Sequence, residues 1–212
     1  MRGAPHLSRV LCLSRLWLLT SHLNLSLLTS HVSIPPVLWP FAALWNVALT
    51  FDAFLQQSTQ HRELWSGVYK TAQVPAWATE AAAKLGGRFR FVVLAEDWCG
   101  DASSTVPVVA RFAEAAGVEL RILRRDRHPE VMDRYLGPTG SRAIPVVVVL
   151  TDGMEEIGHW GSRPAELQAF VMAERARGRT SKDYFAEVRR WYARDRGEST
   201  LREVLAVMGG GG

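Results

Sequence analysis

Cysteine is nearly absent from this chain. Cys12 and Cys99, 87 positions apart, are the only two among 212 residues. A single distant pair makes no disulfide framework. Cys99, His128 and His159 fall at no zinc-ligand spacing, so no metal is expected. A phosphate-cradling loop, a dinucleotide fingerprint and a serine-hydrolase elbow are missing too, and no cofactor is expected. Apolar runs are short. None reaches the length of about 18 residues that a spanning helix needs.

Acidic residues are missing from positions 1–46, where Arg2, Arg9 and Arg15 are the only charged side chains. The formal net charge is +4, so removing these three leaves about +1 on the remainder. A near-neutral body offers no general phosphate-binding surface, and nucleic acid is not an expected partner. Arg121, Arg124, Arg125 and Arg127 form the one local basic cluster. It reads as a solvated strand end and loop. Residues 1–46 also repeat Leu-Leu-Thr-Ser-His at 18–22 and 27–31, and they show no amphipathic period. The preferred reading is a poorly structured extension outside the fold, with a misassigned start codon as its source. A degenerate signal or membrane anchor and a structural arm are the alternatives. No membrane association is expected unless the segment is a true anchor. Scarce cysteine fits a reducing cytosol, so a cytoplasmic location is expected.

The body is patterned. Phe51, Phe54, Leu55, Leu64, Trp65, Val68 and Tyr69 recur at helical spacing. Pro75 opens a second helical stretch through Leu85, and Gly86-Gly87 ends it. Phe89 to Leu94 suits a buried strand, Ser103 to Ala116 a helix closed by Gly117, and Val118 to Leu123 a second strand. A short helix spans Glu130 to Leu136. Val146 to Leu150 and Met154 to Trp160 are strands joined by an Asp152-Gly153 turn. Pro164 opens a helix through Arg177. Ser181 is a plausible cap for the next, with Tyr184, Phe185, Val188, Trp191 and Tyr192 on one face. Ser199 can cap a last helix bearing Leu201, Val204, Leu205 and Met208. Strands separated by helices, with a closing hairpin, predict an α/β fold built on a mixed central sheet.

The chemistry concentrates at Glu96-Asp97-Trp98-Cys99-Gly100-Asp101-Ala102. A cysteine between a strand end and a helix start meets outward N–H groups and a positive dipole, a setting that favours thiolate. Asp101, Glu96 and Asp97 oppose it by like charge, so a less acidic thiol than in a dithiol enzyme is expected. Asp101 can serve as a helix-terminus carboxylate or as a proton-transfer partner of Cys99. Trp98 reads as packing that shields the thiol or as part of a docking surface.

Trp98-Cys99-Gly100, Pro107, the segment Asp126 with His128-Pro129, Ile144-Pro145, Gly153 and Gly161 occur in the order of the thioredoxin pattern. The chain resembles the thioredoxin-like superfamily over residues 89–170, most of all a bacterial group with a single-cysteine Trp-Cys-Gly-Asp turn. The resemblance implies a thioredoxin fold with extra N- and C-terminal helices. It implies one domain over 47–208, with its core at 88–170 and a helical extension at 179–208. The extension reads as a buttress on the sheet or the N-terminal helices, or as a dimer or partner surface. It implies a cis-proline loop at Ile144-Pro145 beside an accessible Cys99 in the first turn of a helix. Catalytic roles then fall to Cys99 and Asp101, and substrate contacts to Trp98, Gly100, Ile144 and Pro145. Two departures matter. Ala102 stands where a dithiol enzyme has its resolving cysteine, and Val93 stands about where thioredoxins bury an aspartate. The expected activity is single-cysteine thiol/disulfide chemistry on protein or small-molecule thiols such as glutathione. The competing reading is a non-catalytic binding or scaffold module.

Overall fold

A computed structural model describes residues 41–211. Its centre is a four-stranded sheet ordered β2-β1-β3-β4. Strand β1 (Phe89–Ala95) pairs in parallel with β2 (Glu119–Arg124) and antiparallel with β3 (Val146–Thr151). Strand β4 (Glu156–Gly161) pairs antiparallel with β3. Strands β1 and β3 lie in the middle. Phe91 to Ala95 and Val146 to Leu150 are buried throughout, which is why both read as unbroken apolar runs. Strand β4 starts two residues later than its sequence pattern suggests. Met154 takes a left-handed conformation (φ 67°) and donates its N–H to the Thr151 carbonyl, so it belongs to the turn.

Helix α5 (Gly100–Ala116) follows β1 directly and is buried along one continuous run, Ala102 to Ala110. It ends as expected at Gly117, in the left-handed conformation that glycine adopts without a Cβ clash (φ 69°). Helices α3 (Arg62–Thr71) and α4 (Ala76–Lys84) pack on it. Helix α2 (Phe51–Gln57) precedes α3 and is capped by the Thr50 hydroxyl, which accepts from the Ala53 N–H at 3.1 Å. Beyond β2, a 3-10 turn (Arg125–Arg127) and the short α6 (Pro129–Met132) occupy the place of the expected longer helix.

The described chain opens with helix α1 (Phe41–Val47), so the expected boundary between 46 and 47 falls inside a helix. Phe41 is buried in the main core, and Leu44 and Trp45 pack against it. Trp45 lies under the guanidinium groups of Arg90 and Arg121, at 5.7 and 5.5 Å from its ring centre. Leu49 then exchanges backbone hydrogen bonds with Ile122 on the outer edge of β2. The reading of positions 1–40 as an unstructured extension lies outside the described residues.

Three helices follow the sheet. Helix α7 (Ala165–Ala176) and helix α8 (Phe185–Asp195) share a small apolar cluster of their own, in which Leu167, Trp191 and Tyr192 are buried. Helix α9 (Glu198–Met208) packs on β4, α4 and α5 instead. The expected buttress of 179–208 therefore divides: α9 covers the sheet, while α8 packs with α7. Glu203 fixes α9 by accepting from Trp160 Nε1 at 2.6 Å and from the Ala165 N–H at 2.8 Å. The two expected serine caps are not used. Asp183 accepts from the Thr180 N–H at 2.6 Å, so Ser181 lies inside a turn and α8 begins only after Tyr184. Asp195 accepts from the Gly197 N–H at 3.1 Å and the Ser199 N–H at 3.2 Å, so its carboxylate does the capping and Ser199 is helical.

Candidate functional site

Cys99 is the N-cap of α5. Its Sγ accepts from the Ala102 N–H at 3.4 Å, and its thiol donates to the Ile144 carbonyl, also at 3.4 Å. The Ile144-Pro145 peptide is cis. The thiol thus spans the gap between the strand–helix turn and the 144–145 loop. Gly161 lets β4 pass close to that loop: a Cβ there would stand 2.3 Å from the Pro145 carbonyl oxygen.

Accessibility departs from expectation. Cys99 is 8% exposed, not open to solvent. Ile144 closes one side. On the other, α8 reaches the turn, with Phe185 placed 3.9 Å from where a Gly100 Cβ would stand. The Tyr192 hydroxyl donates to Asp101 Oδ1 at 2.9 Å. The Phe185 and Tyr192 contacts come from α8, a helix that the minimal strand–helix pattern does not contain.

Burial also reverses the dipole argument. Desolvation pushes the Cys99 thiol up to about 11, with the Asp101 charge as second cause, against the lowering hydrogen bonds of Ala102 and Asp101. A dipole contribution of up to roughly 1 kcal/mol cannot offset the loss of water around a thiolate. The expected direction holds, but burial, not acid crowding, is its main cause. Glu96 and Asp97 are engaged elsewhere. Glu96 accepts from Arg124 at 3.2 Å and from the Asp126 N–H at 2.8 Å. Asp97 accepts from the Thr59 and Gln60 N–H groups at 2.7 and 3.2 Å. Burial pushes Asp97 up, but those hydrogen bonds and Arg124 outweigh it and hold its carboxyl below the usual range. Both acids pin the end of β1 to its neighbours.

Asp101 lies in the first turn of α5 but is held from outside that helix. Its second oxygen accepts from the Arg163 guanidinium, while Arg163 Nη1 reaches Gln168 at 3.1 Å. Asp101 and Arg163, both half-buried, and the buried Tyr192 therefore form a triad beside the thiol. Desolvation, the Asp101 charge and the Asp101 hydrogen bond raise the Tyr192 phenol far above its ordinary value, so it stays a donor. Sequence reasoning missed Arg163 and Tyr192. They follow Asp101 by 62 and 91 positions and carry no local signal. Trp98 is 37% exposed, and Arg125 lies over its ring at 4.8 Å. The basic cluster is accordingly no plain solvated loop, since Arg124 and Arg125 brace the two sides of the turn.

No group of three or more His, Cys, Asp or Glu side chains among the described residues could hold a metal ion. Among the same residues, no helix is long and apolar enough to cross a membrane.

Comparison with known proteins agrees with this fold. The crystal structure of a protein of unknown function from Pseudomonas aeruginosa superposes with a TM-score of 0.63 at 20% identity, covering 81% of this chain and 98% of that one. An HIV epitope-scaffold superposes with a TM-score of 0.60 at 21% identity, covering 80% and 98%. At these identities the likeness speaks for the fold alone. No curated protein matches the chain at a significant level. A family model described as Thioredoxin matches residues 48–178, more than half of the chain, and with the mixed sheet and its helical layers this shows that the chain belongs to the thioredoxin family.

Proposed function

We propose that this protein is a single-cysteine thiol/disulfide protein acting through Cys99. The carrying observation is the placement of the Cys99 thiol at the α5 N-cap, bonded to the Ile144 carbonyl. In this reading the Cys99 thiolate attacks a disulfide such as oxidised glutathione. The S–S bond breaks, one thiolate leaves, and Cys99 carries the other half as a mixed disulfide. Ala102 offers no second sulfur, so a second external thiol must attack that adduct and return Cys99 to its thiolate. Ile144, Pro145, Trp98 and Gly100 form the face that a partner meets. Asp101 is a positioning residue, because both of its oxygens are already engaged by Tyr192 and Arg163. Glutathione or protein thiols in a reducing, cytoplasmic setting fit this cycle, within a single domain that takes in α1.

The second reading, a non-catalytic binding module, is favoured by one specific observation: the thiol is buried and raised to about 11. Incubation with oxidised glutathione followed by intact-mass measurement separates the two. A single glutathione adduct on Cys99, removed by reduced glutathione, supports the thiol reading. No adduct on the folded protein, with ready reaction after denaturation, supports the binding module.

A further inference from the structure

A large cavity lies away from the thiol. It is an open groove of about 820 Å³ between α3 and the α8–α9 turn, with α5 beneath. Its volume falls within the range of about 300–1,000 Å³ usual for small-molecule sites. One wall is apolar: Leu64, Val68, Ala72 and Pro75 line it, and Val108 floors it. The opposite wall carries Arg189, Arg194 and Arg196. Among the described residues none of these three has a carboxylate within ion-pair distance, unlike Arg163, Arg177, Arg179 or Arg202.

The turn that presents these arginines is built under constraint. Arg196 adopts a left-handed conformation at φ 54°, followed by Gly197 at φ 84°. A non-glycine residue there costs about 1–2 kcal/mol. Gly197 cannot be replaced cheaply, since a Cβ would stand 2.5 Å from Val108 Cγ1. The turn is thus pressed against α5, and Arg196 is held at the groove mouth by a strained backbone, the kind of strain that concentrates at ligand sites.

We infer that this groove binds an amphipathic monoanion, a fatty carboxylate, with its chain along α3 and its head against the arginine wall. Charge complementarity selects the head. Asp195 and Glu198 share that wall, but Glu198 is paired with Arg202 at 2.6 Å, so the three arginines outnumber the remaining acid and favour an anionic head. That matches a carboxylate head. Guanidinium groups bind carboxylates through paired N–H donors, which suits arginine over lysine at such a wall. Thr71 and Gln73 also line the α3 side, but Leu64, Val68, Ala72 and Pro75 leave surface there for a methylene chain.

Titration of the full-length protein with dansyl-undecanoic acid, read by dansyl fluorescence, tests this. Saturable binding is expected, displaced by unlabelled laurate and weakened about tenfold in Arg189→Gln/Arg196→Gln, with an unchanged melting temperature. Dodecanol should displace the probe at least tenfold less well than laurate. Laurate without effect on the probe, equal displacement by dodecanol, or undiminished binding by the folded double variant would each overturn the assignment. None of these readouts involves Cys99, so they stand or fall independently of thiol chemistry.

Discussion

The Tyr192 hydroxyl donates to the Asp101 carboxylate at 2.9 Å across 91 positions of sequence. One hydrogen bond thereby ties the last quarter of the chain to the turn that holds Cys99. Tyr192 is 8% exposed and Asp101 has a side-chain exposure of 13%, so water does not compete freely for the bond. Helix α8 and the reactivity of the thiol are linked through it.

That link predicts the behaviour of Tyr192→Phe. Losing a buried hydrogen bond to a charged group costs about 1.5–3 kcal/mol. The loss falls on the contact that holds α8 over the turn. Iodoacetamide should modify Cys99 roughly tenfold faster in the variant at fixed pH, while the circular dichroism spectrum stays native. An unchanged rate would mean that α8 does not control access.

Arg163 and Asp101 should behave asymmetrically. Arg163→Met leaves the half-buried Asp101 carboxylate without its cation and should destabilise by about 1–3 kcal/mol in urea denaturation. Asp101→Asn removes the like charge beside Cys99 and should shift the pH dependence of alkylation toward lower pH. Burial, the larger cause, remains in that variant, so the shift should be partial. A full return to the ordinary thiol range would show that the charge, not burial, dominates.

Cys99 also sets an alkaline limit on stability. Its folded pKa is raised to about 11 from an ordinary value of 9.0. The native state therefore holds the proton more tightly than the unfolded chain. Stability from this group is complete below about pH 9 and is lost as pH rises toward 11. The whole effect is about 2–3 kcal/mol, from roughly 1.4 kcal/mol per pKa unit. Urea midpoints measured between pH 8 and 11 should fall for the wild type and fall less for Cys99→Ala.

Local chemistry made much of this fold readable in the sequence. Unbroken apolar strands, Gly117, the Asp152-Gly153 turn and the Cys99 and Pro145 loops announce themselves within a few residues. What was hidden is tertiary. Arg163 and Tyr192 gain their roles only when β4 and α8 fold back on the α5 terminus. The serine caps failed because Asp183 and Asp195 fold the chain into tight turns by accepting from the Thr180 N–H and from the Gly197 and Ser199 N–H groups, which moves both helix starts away from the serines. Helix α1 escaped notice because it is seven residues long, has no capping signal and adjoins a segment of biased composition.

Helix α1 gives a test of where the folded body starts. Phe41 is 3% exposed, and truncating a buried phenylalanine costs about 3–5 kcal/mol. A chain beginning at Val47 loses Phe41 and the Trp45 ring beneath Arg90 and Arg121. It should melt roughly 6–20 °C below the full-length protein, since about 1 kcal/mol moves a domain of this size by 2–4 °C. Equal melting temperatures would return residues 41–46 to the extension.

Turnover tests the thiol reading itself. Ala102 is fully buried and its N–H already points at the Cys99 sulfur at 3.4 Å. The wild type should be nearly inert in dithiothreitol-driven insulin reduction, because no second thiol can release a mixed disulfide. Ala102→Cys places a sulfur one turn along α5 and should create measurable activity if the turn can reach disulfide geometry. The gain should be small, because α8 still covers the turn and burial still holds the Cys99 thiol protonated. Adding Tyr192→Phe to Ala102→Cys should raise it further, since the same hydrogen bond that guards alkylation guards docking. Cys99→Ser in either background should abolish it. Wild-type reduction at dithiol rates would overturn the single-cysteine reading. An Ala102→Cys/Tyr192→Phe protein that alkylates quickly yet reduces no insulin would show a reactive thiol on a surface that cannot dock a disulfide, and would favour the binding module.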